Sequence, residues 1–414
     1  MLVTPPWGAE FAENDKRYLD HWYHLNAGKY ESYIYFIERA TALIRNAGFF
    51  GFVVPSYWVS RSQTKALRNY LAETMTPVAF ILWPDNVFEG VKMDASIVIS
   101  RNSPAHQFPE SNIMVGEIQA NQLEQITQGT LAQHLHKVPV ERWLNQPAIR
   151  FNPRVVAADI VTFSKVSSLS VPLGELVSIT QGLTLYRRST LVVMYGKTKA
   201  EQIVEKRLFH ADHKKNKTFK KELLGRNVAR YSVQWNGDNW VSYGPWLAHA
   251  VDERFFHGPR LVVQKIRNPS LKQRLVVGYL DDNETYSAGV LLNVISAHSE
   301  YSLLYAMALL NAKLINWWYR KTVIDVSIRV IDLQSVPIRT IDFSAAADKL
   351  RHDTMVALVE SMLALHKHKA AAQTQPEQEL LQRQIEITDR QIDALVYELY
   401  ELSAAEIAIV EGAG

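Results

Sequence analysis

Short apolar runs alternate with amphipathic helices along the first hundred residues, and this alternation constrains the fold more than any other feature. Apolar residues recur at helical spacing from Tyr30 to Asn46, Gly48 ends the pattern, and the apolar run Phe49–Pro55 follows. A strand that is apolar on both faces is typical of a buried parallel strand. The alternation continues with a helical pattern over 61–74 and strand patterns over Val78–Trp83 and Ala95–Ser100. The sequence therefore predicts an α/β domain with a doubly wound sheet over residues 1–150.

The pattern changes beyond residue 105, where no periodicity is sustained. Prolines punctuate the region up to Pro172, which predicts a domain boundary between 150 and 170. Residues 160–340 mix short strands with one long apolar helix, Tyr301–Tyr319, and predict a mixed α+β domain. Residues 341–414 predict a helical tail with a break at Pro376. One apolar stripe of this tail has helical spacing: Ile392, Leu395, Val396, Leu399 and Leu402.

Composition excludes several classes of site. Cysteine is absent, which excludes disulfides, cysteine-ligated zinc, iron–sulfur clusters and thiol nucleophiles. None of the closely spaced pairs among the thirteen histidines carries the glutamate of a zincin motif, so no metal site is predicted. No apolar run reaches the ~18 residues that span a bilayer, and the first residues lack the features of a signal peptide. We therefore expect a cytoplasmic protein without a membrane partner.

Positive charge is concentrated between Lys206 and Arg230. This stretch holds nine Lys or Arg residues and two acids, whereas the whole chain has a net charge of only +3. Such a patch attracts polyanions, nucleic acids among them. A solvated loop without a partner is the alternative. The candidate DNA-binding residues are Lys214, Lys215, Lys217, Lys220, Lys221, Arg226 and Arg230.

The tetrapeptide Thr4-Pro5-Pro6-Trp7 precedes the helix–strand units and resembles the Asn-Pro-Pro-aromatic motif of amino-methylating DNA methyltransferases. With its tryptophan it is most similar to the gamma-type, NPPW-class adenine-N6 enzymes of type II and IIG restriction-modification systems. An exocyclic amine is a poor nucleophile, so such a site accepts hydrogen bonds from both N–H groups and stacks an aromatic ring on the flipped base. The resemblance implies that residues 4–7 are catalytic, with Pro5 supplying a carbonyl acceptor and Trp7 the stacking face.

The resemblance continues in family order along nearly the whole chain. Phe88 lies in a segment similar to a later loop motif, which implies the other wall of the base pocket, although a core role is the alternative. Residues 160–340 resemble the target-recognition domain of these enzymes, which implies double-stranded DNA as the partner. The similar segments there and in the tail are Leu173–Leu183, Gly225–Tyr231, Arg254–Ile266, Leu303–Arg320 and Ile392–Tyr400. The implied architecture is a partial, Rossmann-like methyltransferase sheet, a mixed α+β recognition domain and a helical tail.

Two departures from the family affect the expected activity. Thr4 stands where the family has Asn or Asp and offers a single oxygen on a shorter side chain. The family uses S-adenosylmethionine, which a glycine-rich loop binds, but the only two glycines separated by one residue are Gly412 and Gly414. We therefore expect no cofactor-binding residues in this chain, a truncated or split enzyme that is inactive alone, and a cofactor-binding or nuclease-bearing partner polypeptide.

Two other functions remain open at this stage. The chain is alternatively a DNA-binding specificity module without catalysis, or an α/β protein of unrelated purpose with a chance Pro-Pro-Trp. A nuclease site is not expected, because the only acid placed two residues before a lysine is Asp212, in Asp212-His213-Lys214. The DNA target sequence cannot be read from these motifs.

Overall fold

The computed structural model describes residues 2–412 except 27, 29, 60–61, 85–94, 105–111, 127–128, 142–153, 157, 269–270 and 298–300. The chain forms two compact units, one of residues 1–160 with 321–325 and one of residues 161–320 with 326–414. We refer to them as the first and the second unit. Among the described residues, no helix is both long enough and apolar enough to cross a membrane.

The first unit contains a mixed six-stranded sheet in the order β1-β2-β4-β3-β5-β6. Its strands are β1 Leu2–Val3, β2 Phe49–Pro55, β3 Thr76–Trp83, β4 Ala95–Arg101, β5 Asn112–Glu117 and β6 His136–Pro139, and its helices are α1 Glu13–Trp22, α2 Ser32–Leu43 and α3 Lys65–Thr74. Strand β2 pairs in parallel with β1 and antiparallel with β4, and β3 pairs in parallel with β5. The predicted α/β class is confirmed.

The core of the first unit follows from the periodicities of the sequence. Helix α2 buries Tyr33, Ile34 and Ile37 on one face, and β2 buries Phe50 and Phe52. Each buried side chain of this kind contributes roughly 1.5–3 kcal/mol. The predicted helix over Tyr30–Asn46 and the strands after it therefore form because they share one core.

The second unit is built from smaller sheets and many helices. Its four-stranded sheets have the orders β16-β10-β13-β9 and β15-β14-β17-β8, and two further pairs are β11-β12 and β18-β7. The strands are β7 Ser170–Pro172, β8 Val177–Gln181, β9 His210–Ala211, β10 Phe219–Leu223, β11 Val228–Ala229, β12 Ser232–Val233, β13 Trp240–Ser242, β14 Gly258–Gln264, β15 Val277–Asp282, β16 Thr285–Ser287, β17 Leu291–Ser296 and β18 Pro337–Arg339. The helices are α4 Asp159–Ser168, α5 Leu173–Leu176, α6 Arg188–Tyr195, α7 Lys197–Glu205, α8 Leu303–Asn311, α9 Lys313–Thr322, α10 Val330–Gln334, α11 Ala346–Ala371, α12 Gln375–Leu399 and α13 Ala404–Glu411.

The predicted single helix over Tyr301–Tyr319 is wrong, because the chain breaks at Ala312, whose backbone is extended with ψ 152°. The buried Asn311 amide pairs with both backbone groups of Val277, at 3.1 and 2.9 Å, and Asn316 donates to the Leu310 carbonyl at 2.9 Å. The carboxylate of Asp393 accepts from the backbone N–H of Lys313 at 2.9 Å and caps the start of α9. Hydrogen bonds to two residues that are distant in sequence, Val277 and Asp393, therefore stabilise the break.

The predicted helical tail is confirmed, and its two long helices form an antiparallel pair. Arg351 near the start of α11 bonds Glu398 near the end of α12 at 2.9 Å. Pro376 lies in the first turn of α12, where a proline costs no hydrogen bond. In the predicted apolar stripe, Ile392, Val396 and Leu399 are buried, whereas Leu395 and Leu402 are half-buried.

Candidate functional site: an aromatic pocket and a basic surface

The tetrapeptide Thr4-Pro5-Pro6-Trp7 lies where strand β1 ends. The parallel register of β1 with β2 places Val3 opposite Phe52, so the motif begins at the carboxyl edge of two parallel strands. Ligands of open α/β sheets bind at this edge. Thr4 and Pro6 are exposed, Pro5 is buried and Trp7 is half-buried.

Hydrogen bonds fix the turn while leaving two acceptors unused. The Ser32 hydroxyl donates to the Pro6 carbonyl, and the Trp7 Nε1–H donates to the Val53 carbonyl at 3.4 Å. Within the described part of the chain, neither the Thr4 hydroxyl nor the Pro5 carbonyl has a hydrogen-bond partner. The two oxygens expected to face an amine are therefore available, and the carbonyl of the second proline is not. The sequence reasoning missed Ser32, the residue that holds this carbonyl.

An aromatic cavity opens beside Pro6. Its volume is about 270 Å³, and its lining is formed by Pro6, Ala9, Phe11, Leu19, Tyr23, Ser32, Tyr35, Phe36 and Arg39. The rings of Tyr23 and Tyr35 meet edge to face with centroids 5.4 Å apart. Burial raises the pKa of the Tyr35 hydroxyl, which stays protonated at neutral pH. A cavity with such walls accepts a flat ring.

The sequence reasoning also missed this cavity. Its aromatic residues come from two segments, Phe11–Tyr23 and the start of α2. No periodicity in the sequence predicts that these two segments pack together. The dense aromatic run Tyr33–Phe36 was the one available signal. Trp7 does not line the cavity, so it offers a separate aromatic surface. The other predicted wall of the base pocket, Phe88, lies outside the described residues.

The basic run divides into exposed lysines and half-buried ones. Lys214, Lys215 and Lys217 lie in the exposed loop between β9 and β10, and they form no ion pair among the described residues. Lys220 and Lys221 lie on β10 and are half-buried, with Lys221 3.2 Å from the Glu284 carboxylate. The loop lysines are exposed and can approach a phosphate without breaking an ion pair, whereas Lys221 would have to leave Glu284.

The two arginines of the run differ in the same way. Arg226 is exposed and pairs with the equally exposed Asp238 at 2.9 Å. Arg230 instead donates to both carboxylate oxygens of Asp389, at 2.9 and 2.6 Å, and to the Asn311 carbonyl at 3.0 Å. This network ties the tail helix α12 to the break between α8 and α9. Arg230 is therefore occupied by a structural role and is not among the residues that we propose to face DNA.

The histidines and acids of this region serve as hydrogen-bond partners. His210 bonds Tyr186 through Nδ1 at 2.9 Å and Glu222 through Nε2 at 3.0 Å, and Asp212 pairs with its neighbour His213 at 2.6 Å. Within the described ranges, no three His, Asp or Glu side chains come together to hold a metal ion.

Two family models match this chain. Residues 4–88 match the Eco57I restriction-modification methylase, and residues 220–338 match the TaqI-like C-terminal specificity domain. The first match begins at the tetrapeptide, and the second covers most of the sheets of the second unit.

Two known proteins show how far the similarity extends. A Methanocaldococcus jannaschii protein named as a type II restriction enzyme and methyltransferase, RM.MjaORFECS2P, is 21% identical over 328 residues, which are 77% of this chain. The chain spans only 25% of that relative's length. Among solved structures, the Type IIL restriction-modification enzyme MmeI in complex with DNA matches with a TM-score of 0.57 and 11% identity, over 99% of this chain and 56% of MmeI. At this identity the likeness shows a shared fold.

Proposed function

We propose that this chain, which belongs to the type II restriction-modification methylases with a C-terminal recognition domain, carries the base-binding motif and the DNA recognition domain of a site-specific adenine-N6 DNA methyltransferase. The observation that carries this proposal is the pair of unengaged oxygens, the Thr4 hydroxyl and the Pro5 carbonyl, next to the half-buried ring of Trp7. An adenine amine needs two acceptors and a stacking face, and residues 4–7 offer these three features together.

The reaction requires the amine nitrogen to develop a lone pair that attacks a methyl group. Hydrogen bonds from the two N–H groups to the Thr4 and Pro5 oxygens draw positive charge off the nitrogen as it forms its new bond. Stacking on Trp7 holds the base out of the duplex and is worth ~1–3 kcal/mol. The Nε1–H bond to Val53 fixes the ring for this purpose, because it prevents rotation of the indole.

S-adenosylmethionine, the methyl donor of this family, supplies an electrophilic methyl group when bound. The aromatic cavity beside Pro6 fits the flat adenine ring of this cofactor, since Trp7 is assigned to the base and the cavity offers aromatic walls close to it in the chain. A volume of about 270 Å³ lies just under the ~300–1,000 Å³ of small-molecule sites, so the cavity holds a part of the cofactor. Calorimetry on the chain alone should give a dissociation constant weaker than about 1 μM, with binding lost in Phe36→Ala. Micromolar one-to-one binding that survives this change would contradict the assignment.

Recognition of DNA is assigned to the second unit. The exposed Lys214, Lys215 and Lys217 supply contacts to phosphates, which give affinity without sequence information. Similarity to a DNA-bound restriction-modification enzyme, MmeI, supports this role. A specificity module without catalysis would bind DNA in the same way, so binding alone does not separate the two functions.

Base flipping separates them. Duplexes bound by the chain would first be selected from a randomised pool, and 2-aminopurine would then replace each adenine of the bound sequence in turn. We expect fluorescence to rise at one position, because a flipped base leaves the stack that quenches it. Trp7→Ala should abolish the rise with little effect on overall affinity, which phosphate contacts dominate.

The matched control is Trp7→Phe, which keeps an aromatic ring but loses the bond to Val53. It should retain most of the fluorescence rise. If wild type binds the selected duplex and no position brightens, residues 4–7 do not flip a base, and the chain is a recognition module.

A further inference from the structure

A helical hairpin of the second unit exposes an apolar tip. Helix α6 buries Leu191, but the next three residues of the same helix are exposed. The exposed fraction is 39% for Val192, 87% for Val193 and 41% for Met194. Gly196, with φ +79°, then turns the chain into α7, which buries Ala200 and Ile203. An apolar cluster that protrudes into solvent marks an interaction site, because its exposure gives the isolated chain no stability. We call residues Arg187–Arg207 the apolar hairpin.

The base of the apolar hairpin is rigid. The Tyr186 hydroxyl accepts from the Phe209 backbone N–H at 3.0 Å, and the two rings stack 5.5 Å apart at 10°. Tyr186 also bonds His210, which bonds the buried Glu222 at 3.0 Å. The residues on either side of the apolar hairpin are thus clamped to each other and to strand β10. A clamped base presents the tip in one orientation and lowers the entropy that binding costs.

Positively charged side chains lie along the apolar hairpin from its base to its tip. The apolar hairpin carries two exposed acids, Glu201 and Glu205, and none of its charged residues forms an ion pair among the described residues. Its six exposed cations are Arg187, Arg188, Lys197, Lys199, Lys206 and Arg207. An acidic polymer is therefore the partner that this surface fits.

We propose that the apolar hairpin presses its tip into the minor groove of duplex DNA, with Val193 and Met194 against a base step and the flanking cations on the phosphates. This inference rests on the proposed function, since it assumes that the chain binds DNA. In the major groove, side chains hydrogen-bond to base edges or pack against the thymine methyl group, and neither contact requires a kinked duplex. Val192, Val193 and Met194 carry no hydrogen-bonding group, so in the major groove they could contact only thymine methyl groups. Apolar side chains enter DNA as wedges from the minor groove, where they unstack a base step and kink the duplex.

The test measures DNA bending and affinity together. The full chain would be titrated onto its selected duplex, labelled at both ends for energy transfer. Val193→Ser combined with Met194→Ser should reduce the bend and weaken binding about tenfold, with an unchanged slope of log K against log salt. Lys197→Gln with Lys199→Gln should instead flatten that slope by about 0.9 for each lysine that binds a phosphate.

The matched control is Val161→Ser, a similarly exposed valine at 63% outside the apolar hairpin. It should change neither the bend nor the affinity. Thermal unfolding should be unchanged in all three variants, because the replaced side chains are exposed.

Three outcomes would overturn the inference. If the Val193→Ser, Met194→Ser variant bends and binds DNA as the wild type does, the tip does not contact DNA, and the proposed function still stands. A fall in self-association by light scattering with unaltered DNA binding would assign the tip to a second copy of the chain. Failure of wild type to bind any duplex would reject both this inference and the proposed function.

Discussion

Arg230→Gln should destabilise the second unit, although the sequence places Arg230 in the same basic run as the exposed lysines. The Arg230 guanidinium makes three hydrogen bonds, two to the Asp389 carboxylate and one to the Asn311 carbonyl. Both side chains of the ion pair are mostly shielded, with 30% and 25% of their surface exposed. Glutamine cannot reproduce this two-pronged geometry.

The magnitude follows from these hydrogen bonds. Hydrogen bonds to charged groups contribute about 1.5–3 kcal/mol, and partial exposure places this network near the lower part of that range, at about 2 kcal/mol. For a unit of this size, a loss of about 2 kcal/mol lowers the melting temperature by roughly 4–8 °C. The matched variant is Arg226→Gln, which removes the same charge from a pair whose side chains are 55% and 53% exposed. It should cost about 0.2–1 kcal/mol.

Thermal unfolding and the salt dependence of DNA binding together check this reasoning. Arg230→Gln should melt earlier with an unchanged salt slope, and Asp389→Asn should cost about as much. The double variant should cost less than the sum of the two, since both remove one interaction. A shift below about 1 °C combined with a slope flattened by about 0.9 would show instead that Arg230 binds a phosphate and that its pairing with Asp389 is incidental.

Four further predictions concern single features. Replacing the five lysines Lys214, Lys215, Lys217, Lys220 and Lys221 with Gln should flatten the slope of log K against log salt by about 0.9 for each lysine that binds a phosphate, with most of the change from the three loop lysines. An unchanged slope in a filter-binding titration would show that these lysines do not contact DNA. Thr4→Asn should raise methyl transfer from labelled S-adenosylmethionine, with any cofactor-binding partner present, because the carboxamide reaches further than a hydroxyl; equal or lower rates would show that the threonine is already matched to the amine. Gly182→Ala should lower the melting temperature by several degrees or prevent folding, since an added Cβ would lie 2.2 Å from the Ala288 carbonyl oxygen; a stable variant would contradict this. Burial raises the pKa of the Asp393 carboxyl, so the folded state binds this proton more tightly than the unfolded state, and stability falls as pH rises from about 4. Asp393→Asn keeps an acceptor for the Lys313 backbone N–H and should remove that fall in urea midpoints measured between pH 4 and 7. An unchanged pH profile would assign the fall to other groups.

The elements that the sequence predicts well are those that a local pattern determines. Helix α2 and strand β2 each bury a face whose periodicity is visible in the residues themselves. The break at Ala312 is different, because Leu303–Arg320 contains neither proline nor glycine and its residues favour one continuous helix. It breaks since Val277 and Asp393, far away in sequence, offer hydrogen bonds to Asn311 and Lys313. Tertiary interactions of this kind leave no local signal.

The candidate site shows the same division. The tetrapeptide at residues 4–7 was predictable because its chemistry resides in consecutive residues, and the basic run was predictable from composition. The cavity was not, because α1 buries no residue and its contribution through Leu19 follows from tertiary packing alone. Arg226 and Arg230 are indistinguishable in sequence, and only the position of Asp389 separates their roles.

Pairing explains how a chain with a net charge of only +3 presents a strongly basic surface. Buried or half-buried acids of the second unit are matched to cations that hold its elements together, as Glu406 is to Lys165, Asp332 to Arg329 and Asp389 to Arg230. These pairs contribute little field at a distance, because their opposite charges cancel. The cations that form no ion pair among the described residues include those of the loop between β9 and β10 and those of the apolar hairpin, two segments joined through the clamp of Tyr186 and His210. Because these cations are exposed, increasing salt should weaken the attraction of a polyanion to this surface much more than it weakens the fold.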